Sequence, residues 1–148
     1  MGETSLTAVI ERTERQRAEW RRGFRYQFYL FEEKGGPVVG GVSLSEIQRG
    51  PMLGCNLGYW IDSDHQGKGL IREALHGVLS FGFDVVGLHR VQAAIMPLNR
   101  RSLAVVAALG FRLEGLALRY LCVRGEWEDH QIFAMTREEW TESPQPPP

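Results

Sequence analysis

A chain of 148 residues, 43% apolar and 24% charged, is long enough for one domain with a real core and too short for two. A formal net charge of −1 excludes the concentrated basic face that direct nucleic-acid binding requires, and no apolar run has the length of a membrane span or the flanks of a signal peptide. Two cysteines, Cys55 and Cys122, stand at no metal-ligand spacing; they predict buried free thiols, no metal centre and a soluble cytoplasmic protein.

Residues 11–22 lack Pro and Gly and are rich in helix formers, which predicts a largely exposed helix stopped by Gly23. Phe24, Tyr26, Phe28 and Leu30 then alternate with polar neighbours and read as one face of a strand. Lys34-Gly35-Gly36-Pro37 turns the chain into a second strand, VVGGVSLSEI, whose paired Gly40 and Gly41 point to a close backbone approach or a bulge. After a loop from Gln48 to Gly54 comes NLGYWIDSDHQGKGLI, residues 56–71. This is an alternating strand, a polar turn and a glycine-rich bend that opens directly into a helix.

Leu70, Ala74, Leu75, Val78, Leu79 and Phe83 fall at three- and four-residue spacings, so that helix is expected to run to about Val85 and to stop at Gly87. His89 to Ile95 reads as a short central strand, and Pro97 ends its ladder. Asn99 is a good cap for a helix from Arg100 to Leu109, terminated by Gly110. Phe111 to Val123 supplies a long or bent strand. A turn at Gly125-Glu126 returns it through Trp127 to Met135, Arg137 to Glu142 forms a terminal turn, and the Pro-rich residues 143–148 are expected to be disordered. The order of elements implies a mixed α/β or α+β fold in a single domain, residues 1–142. Its middle is partly parallel through right-handed crossovers, and its edges are hairpins.

The glycine bend is the chemically informative stretch. Gln66-Gly67-Lys68-Gly69 lacks the ending of a nucleotide-hydrolase phosphate loop and the three glycines of a dinucleotide fingerprint. Loop amides and the first unpaired N–H groups of a helix would nevertheless converge on one point, a nest suited to a pyrophosphate. Lys68 either adds a charge to that nest or lies in solvent.

Several segments together carry a resemblance. They are Leu57-Gly58-Tyr59, Gln66 to Leu70 with Glu73-Ala74, Met96-Pro97-x-Asn99-x-x-Ser102, Leu109-Gly110-Phe111, and Gly125-x-Trp127-x-Asp129-His130. In this order and spacing they resemble the GNAT family of N-acetyltransferases over roughly residues 24–140. Within it they resemble the branch that acetylates the N-terminal alanine of ribosomal protein S5. The resemblance implies a bacterial acyltransferase with the GNAT fold, a central mixed sheet flanked by helices, using acetyl-CoA. The acceptor it implies is an amine, foremost a ribosomal protein N-terminus. A small amine such as a polyamine or aminoglycoside is the enzymatic alternative, and an impaired acetyl-CoA-binding module is the other. It implies no membrane and no direct nucleic-acid partner, and a monomer or homodimer.

Residue by residue, the resemblance places the cofactor pyrophosphate on the amides of Gln66, Gly67, Lys68, Gly69, Leu70 and Ile71. The pantetheine arm would lie beside Tyr59, Trp60 and Ile61, where the strand splays from residues 90–95. Asn99 would bind the arm and Ser102 would sit near the sulfur. Many members carry a tyrosine acid four residues after that position; this chain has Val106 there, so Ser102 is the substitute, either donating a hydrogen bond or placing a water. Glu73 and His130 are the candidate proton acceptors, each with a structural reading beside the catalytic one, and Tyr120, Trp127 and Asp129 would border the acceptor. Members of the family carry a further strand and helix before the counterpart of the 11–22 helix. Either the chain starts late relative to such members, or Ser5 to Ile10 is a remnant strand, or a partner subunit covers the gap. Acetyl-CoA binding is expected to survive that difference better than acceptor selectivity.

Overall fold

A computed structural model of the chain describes residues 6–142, so the expected tail at 143–148 lies outside the described residues. The first helix, α1 (Leu6–Arg22), begins five residues before the sequence pattern suggests, and Leu6 to Ile10 is helical rather than a remnant strand. No Gly or Pro interrupts that turn, and the Thr13 hydroxyl donates back to the Val9 carbonyl at 2.9 Å, extending the ladder. Gly23 ends α1 in the left-handed region, φ +68°.

Six strands follow in one sheet of order β1-β2-β3-β4-β6-β5: β1 (Tyr26–Phe31), β2 (Val38–Gln48), β3 (Gly54–Ile61), β4 (Arg90–Ile95), β5 (Arg112–Val123) and β6 (Glu126–Thr136). Phe24 falls outside β1 and is exposed, so it does not join the face of Tyr26 and Phe28. Only β3 and β4 pair in parallel; the other neighbours are antiparallel, because β6 inserts between β4 and β5. The parallel middle is thus one pair wide. The turn between β5 and β6 is centred on Arg124 and Gly125, φ +50° and +83°, one residue earlier than the sequence suggests; two successive positive φ angles match the twist of a tight hairpin.

Gly40 and Gly41 are sites of close approach, and the register with β1 also shifts beside Gly40, where Leu30 opposes Gly40 and Phe31 opposes Val38. A Cβ on Gly40 would stand 2.7 Å from the Trp60 carbonyl oxygen, and one on Gly41 would stand 2.6 Å from the Trp60 indole Nε1. A second irregularity in β2 lies further on, between Ser45 and Gln48, with Glu46 at φ +51°.

Helix α2 (Leu70–Ser80) widens at its end into a π turn over Phe81–Val85, so the long helical pattern changes its winding before Gly87. There Val86 N–H bonds to the Phe81 carbonyl at 3.0 Å, while the Phe83 carbonyl accepts the Arg137 guanidinium. Helix α3 (Arg100–Ala108) and the short α4 (Arg137–Glu142) complete the fold.

Alternation divides the sheet into two unlike faces. Tyr26, Leu44, Leu57, Val91, Phe133 and Met135 all enter the apolar core, which Leu75, Leu79 and Phe83 from the α2 segment and Val106 from α3 close. Trp20 of α1 meets Tyr26 and Phe28, and Trp140 of α4 stacks on Phe83, so each described helix contributes to this same core. The neighbours in between, Gln27, Ser43, Ser45, Asn56 and Gln92, turn to the other face. Cys55 is buried, and burial pushes its thiol up to about 12. Cys122 is exposed on the edge strand β5, contrary to the expectation of two buried thiols, because no described element covers that edge.

Candidate active site

The parallel pairing of β3 with β4 covers only Gly54 with Arg90, Cys55 with Val91 and Asn56 with Gln92. Both strands continue beyond that point, β3 to Ile61 and β4 to Ile95, without hydrogen-bonding to each other. A gap therefore opens from Leu57 onward. A cleft of about 680 Å³ lies along it, lined by Tyr59, Trp60 and Ile61 on one side and by Asn99 and Ser102 of the α3 terminus on the other, with Gln66, Gly67 and Ile71 at its loop end.

The loop owes its shape to two glycines. Asp62 caps the short 3-10 turn Ser63–His65, after which Gly67 and Gly69 adopt φ +77° and +79°. Gly69 occupies the N-cap of α2 without a side-chain cap, so the first turn of that helix is left open. Among the described residues, the N–H groups of residues 68 to 72 make no hydrogen bond within the protein, and Glu73 N–H is the first to reach back, to the Gly69 carbonyl at 3.1 Å. A Cβ added at either loop glycine would meet nothing within 4 Å. Free amides, a helix dipole and open space fit an anionic group such as the coenzyme A pyrophosphate.

On the opposite wall the Asn99 Oδ1 accepts the Ser102 N–H at 3.3 Å, which makes Asn99 the N-cap of α3. The cap uses the carbonyl oxygen and leaves the amide nitrogen a free donor, and Asn99 also lines the cleft, so the two readings of Asn99 are compatible. The Tyr59 hydroxyl donates to the Ser102 carbonyl at 3.1 Å and ties β3 to α3 across the gap; its pKa is raised by burial. Val106 is fully buried in the core, so nothing on that turn replaces the tyrosine of other family members.

Eight of the expected cofactor positions, Tyr59, Trp60, Ile61, Gln66, Gly67, Ile71, Asn99 and Ser102, line this one cleft. Lys68, Gly69 and Leu70 do not. Lys68 turns to the Glu32 carboxylate at 3.4 Å, and Leu70 with Glu73 borders a second groove, about 490 Å³, between β1 and α2. Glu73 is therefore not brought beside Ser102. His130 is 4% exposed, and its Nδ1 lies 2.9 Å from the Glu128 carbonyl; a carbonyl only accepts, so that nitrogen carries the proton. Its ring packs edge-on against Tyr120, 5.9 Å between centroids. Trp127 and Asp129 line a smaller hollow of about 320 Å³ with Met96, Pro97 and Leu98, and Asp129 also accepts the Arg119 N–H at 2.8 Å.

Two features were not anticipated from the sequence. Arg101 lines the cleft from the first turn of α3, signalled only by the arginine pair that follows the Asn99 cap. His65 bridges two carboxylates, Asp62 through Nδ1 and Glu32 through Nε2 at 2.9 Å, and its pKa is raised first by the hydrogen bond to Asp62. Glu32 lies well away from it in sequence, so no local pattern could reveal the bridge.

Residues 3–112 match the family described as the acetyltransferase (GNAT) domain. The [ribosomal protein uS5]-alanine N-acetyltransferase of Escherichia coli (strain K12) is 38% identical over 121 residues, 82% of this chain and 62% of that protein. A crystal structure of the ribosomal-protein-S5-alanine acetyltransferase from Vibrio fischeri superposes with a TM-score of 0.86 at 34% identity, covering 90% of this chain and 73% of the other. Mycobacterium smegmatis RimJ in complex with CoA-disulfide superposes with a TM-score of 0.86 at 37% identity, covering 94% and 66%. The chain spans a little over three fifths of the length of the first curated relatives it matches. A family match over most of the chain, joined to the open β3–β4 pair and the uncapped glycine loop, makes this chain a member of the GNAT acetyltransferase family.

Proposed function

We infer that the chain transfers an acetyl group from acetyl-CoA to a primary amine, with the α-amine of a protein N-terminus as the acceptor. The observation that carries this reading is the parting of β3 and β4 in front of the glycine loop. It gives an extended thioester arm a strand to lie against, with its charged end on unpaired amides and its reactive end at the centre of the sheet. The acceptor class rests on the relatives named for uS5-alanine acetylation.

Acetyl-CoA supplies an activated acyl group. The protein's part is to hold and orient it. Amides of the loop and of the first turn of α2 take the pyrophosphate, with Arg101 as a nearby cation. The Asn99 amide holds the arm, and the Ser102 hydroxyl donates toward the departing sulfur. Exposed N–H groups of β3 beyond Asn56 stabilise charge that develops on the carbonyl oxygen, the donor geometry that acyl transfer requires. A terminal α-amine, with a pKa of about 8, is easier to deprotonate at neutral pH than a lysine of about 10.4.

The test is acetyl transfer to a panel of peptides beginning with small residues and to polyamines and aminoglycosides, with acetyl-CoA affinity measured by calorimetry. Saturable binding and transfer to a peptide N-terminus are expected, and Ser102→Ala should lower kcat with little change in acetyl-CoA affinity. Preference for a polyamine would redirect the acceptor assignment. Absence of acetyl-CoA binding would refute the reading.

A further inference from the structure

The cleft holds the donor side of the reaction, and neither Glu73 nor His130 enters it. The proton acceptor is better sought on the other face of the sheet, from which an amine can reach the head of the β3–β4 gap. Asn56 is the last residue of β3 paired with β4, and the gap begins at the next position. Asn56 lies between the core residues Cys55 and Leu57, so its side chain points away from the helices.

Its amide Nδ2 donates to the Glu46 carboxylate. Glu46 belongs to the irregular stretch of β2 between Ser45 and Gln48 and adopts φ +51°, left-handed for a residue with a side chain. The irregularity breaks the alternation of β2 at this point and delivers a carboxylate across to Asn56. The fold thus holds an exposed acid over the position where the gap opens.

The charged groups around it leave the carboxylate free. On the β1 side, Arg25 turns its guanidinium to Gln27 at 3.2 Å. Arg49 points to the Gly23 carbonyl and the Tyr26 hydroxyl. On the β4 side, Arg90 is taken by Glu114 and Gln92. No described cation forms an ion pair with Glu46, so it remains available to an incoming ammonium.

We propose that Glu46, held by Asn56, is the general base on the acceptor side. This assignment rests on the acetyl-transfer reading. An ammonium docks at the carboxylate and gives it a proton, the freed amine nitrogen bonds to the thioester carbonyl carbon, the carbon–sulfur bond breaks, and the nitrogen sheds its second proton to water. The thiolate accepts a hydrogen bond from the Ser102 hydroxyl on the helix side and takes its proton from solvent. Glu46 returns its proton to water.

The decisive variant is Glu46→Gln, which keeps the shape and leaves the backbone conformation no more strained than before. Acetyl-CoA affinity by calorimetry should stay within about twofold. Affinity of the CoA-loaded protein for an N-terminal peptide should weaken, because a neutral amide cannot pair with the ammonium. The value of kcat/KM should fall about 100-fold near neutral pH, the scale of a lost general base, and recover at high pH where the amine is already neutral. Glu46→Asp should recover part of the loss.

If the wild-type chain transfers acetyl groups and Glu46→Gln does so with an unchanged rate and pH profile, the Glu46 assignment fails while the acetyltransferase reading stands. If the wild-type chain binds acetyl-CoA and transfers it to no amine, both fail together.

Discussion

Gly69 joins two requirements at one residue. It must adopt φ +79°, and it must leave the start of α2 uncapped so that the following N–H groups stay open to an anion. Gly87 has nearly the same torsion, φ +80°, beyond the far end of the same helical segment, and like Gly69 has no atom within 4 Å of a would-be Cβ. Each should lose about 1–2 kcal/mol of stability on substitution by Ala, the penalty of a left-handed conformation for a residue with Cβ. The two variants should separate in a ligand experiment. Gly69→Ala is expected to weaken acetyl-CoA binding in calorimetry as well as lower Tm, whereas Gly87→Ala should lower Tm alone. Equal affinities in the two variants would show that the loop conformation has no part in binding. At this scale the sequence was eloquent about the loop and the Asn99 cap, because φ preference and capping are local properties of residue type. It could not indicate that Lys68 turns to Glu32, since that depends on where β1 ends in space.

The loop between β3 and α2 behaves as an element with its own fastening. His65 joins Asp62, at the exit of β3, to Glu32, just past the end of β1, while Lys68 reaches the same Glu32 carboxylate. Both carboxyl groups are held below their usual values, Glu32 first by the Lys68 charge and Asp62 first by the His65 hydrogen bond. Histidine's raised pKa means that its contribution is complete below the unfolded value near 6.5 and is lost as pH rises through the higher folded value. The carboxylates act in the opposite sense, contributing above their unfolded values and losing effect as pH falls through the lowered ones. Loop order should therefore be greatest between the lowered carboxylate values and the raised histidine value, and should fall on either side. Amide hydrogen exchange of residues 65–70 across pH 5–9 should show protection declining at the alkaline end, and His65→Asn should flatten that decline. A pH-independent pattern in the wild-type chain would exclude the bridge as a fastening. Elements of this kind explain the uneven legibility of the fold. Periodicity announced α2, β4 and α3. The π turn after Ser80 and the second irregularity in β2 follow from tertiary partners, the Arg137 guanidinium at the Phe83 carbonyl in one case and the Asn56 amide at Glu46 in the other.

Across the whole molecule, the apolar core lies on one face of the six-stranded sheet, and the other face carries polar residues such as Gln27 and Asn56 beside the exposed Trp60. The sequence indicated a mixed sheet with a parallel centre. That the centre is a single pair, divided after three residue pairings, is a matter of register, which alternation constrains only to within two residues. One outcome of this partition concerns kinetic order. The donor would lie against the helices and the acceptor would approach from behind the sheet, so neither has to leave before the other arrives. Neither thiol could carry the acyl group between them: Cys55 is sealed in the core with its ionisation pushed up to about 12, and Cys122 sits on the far edge strand. Initial-rate measurements should then give double-reciprocal lines that intersect, with free CoA competing against acetyl-CoA and not against the amine. Parallel lines would instead demand a covalent relay. On the acetyl-transfer reading the sheet serves as a wall with one window, where its two substrates would meet as a ternary complex.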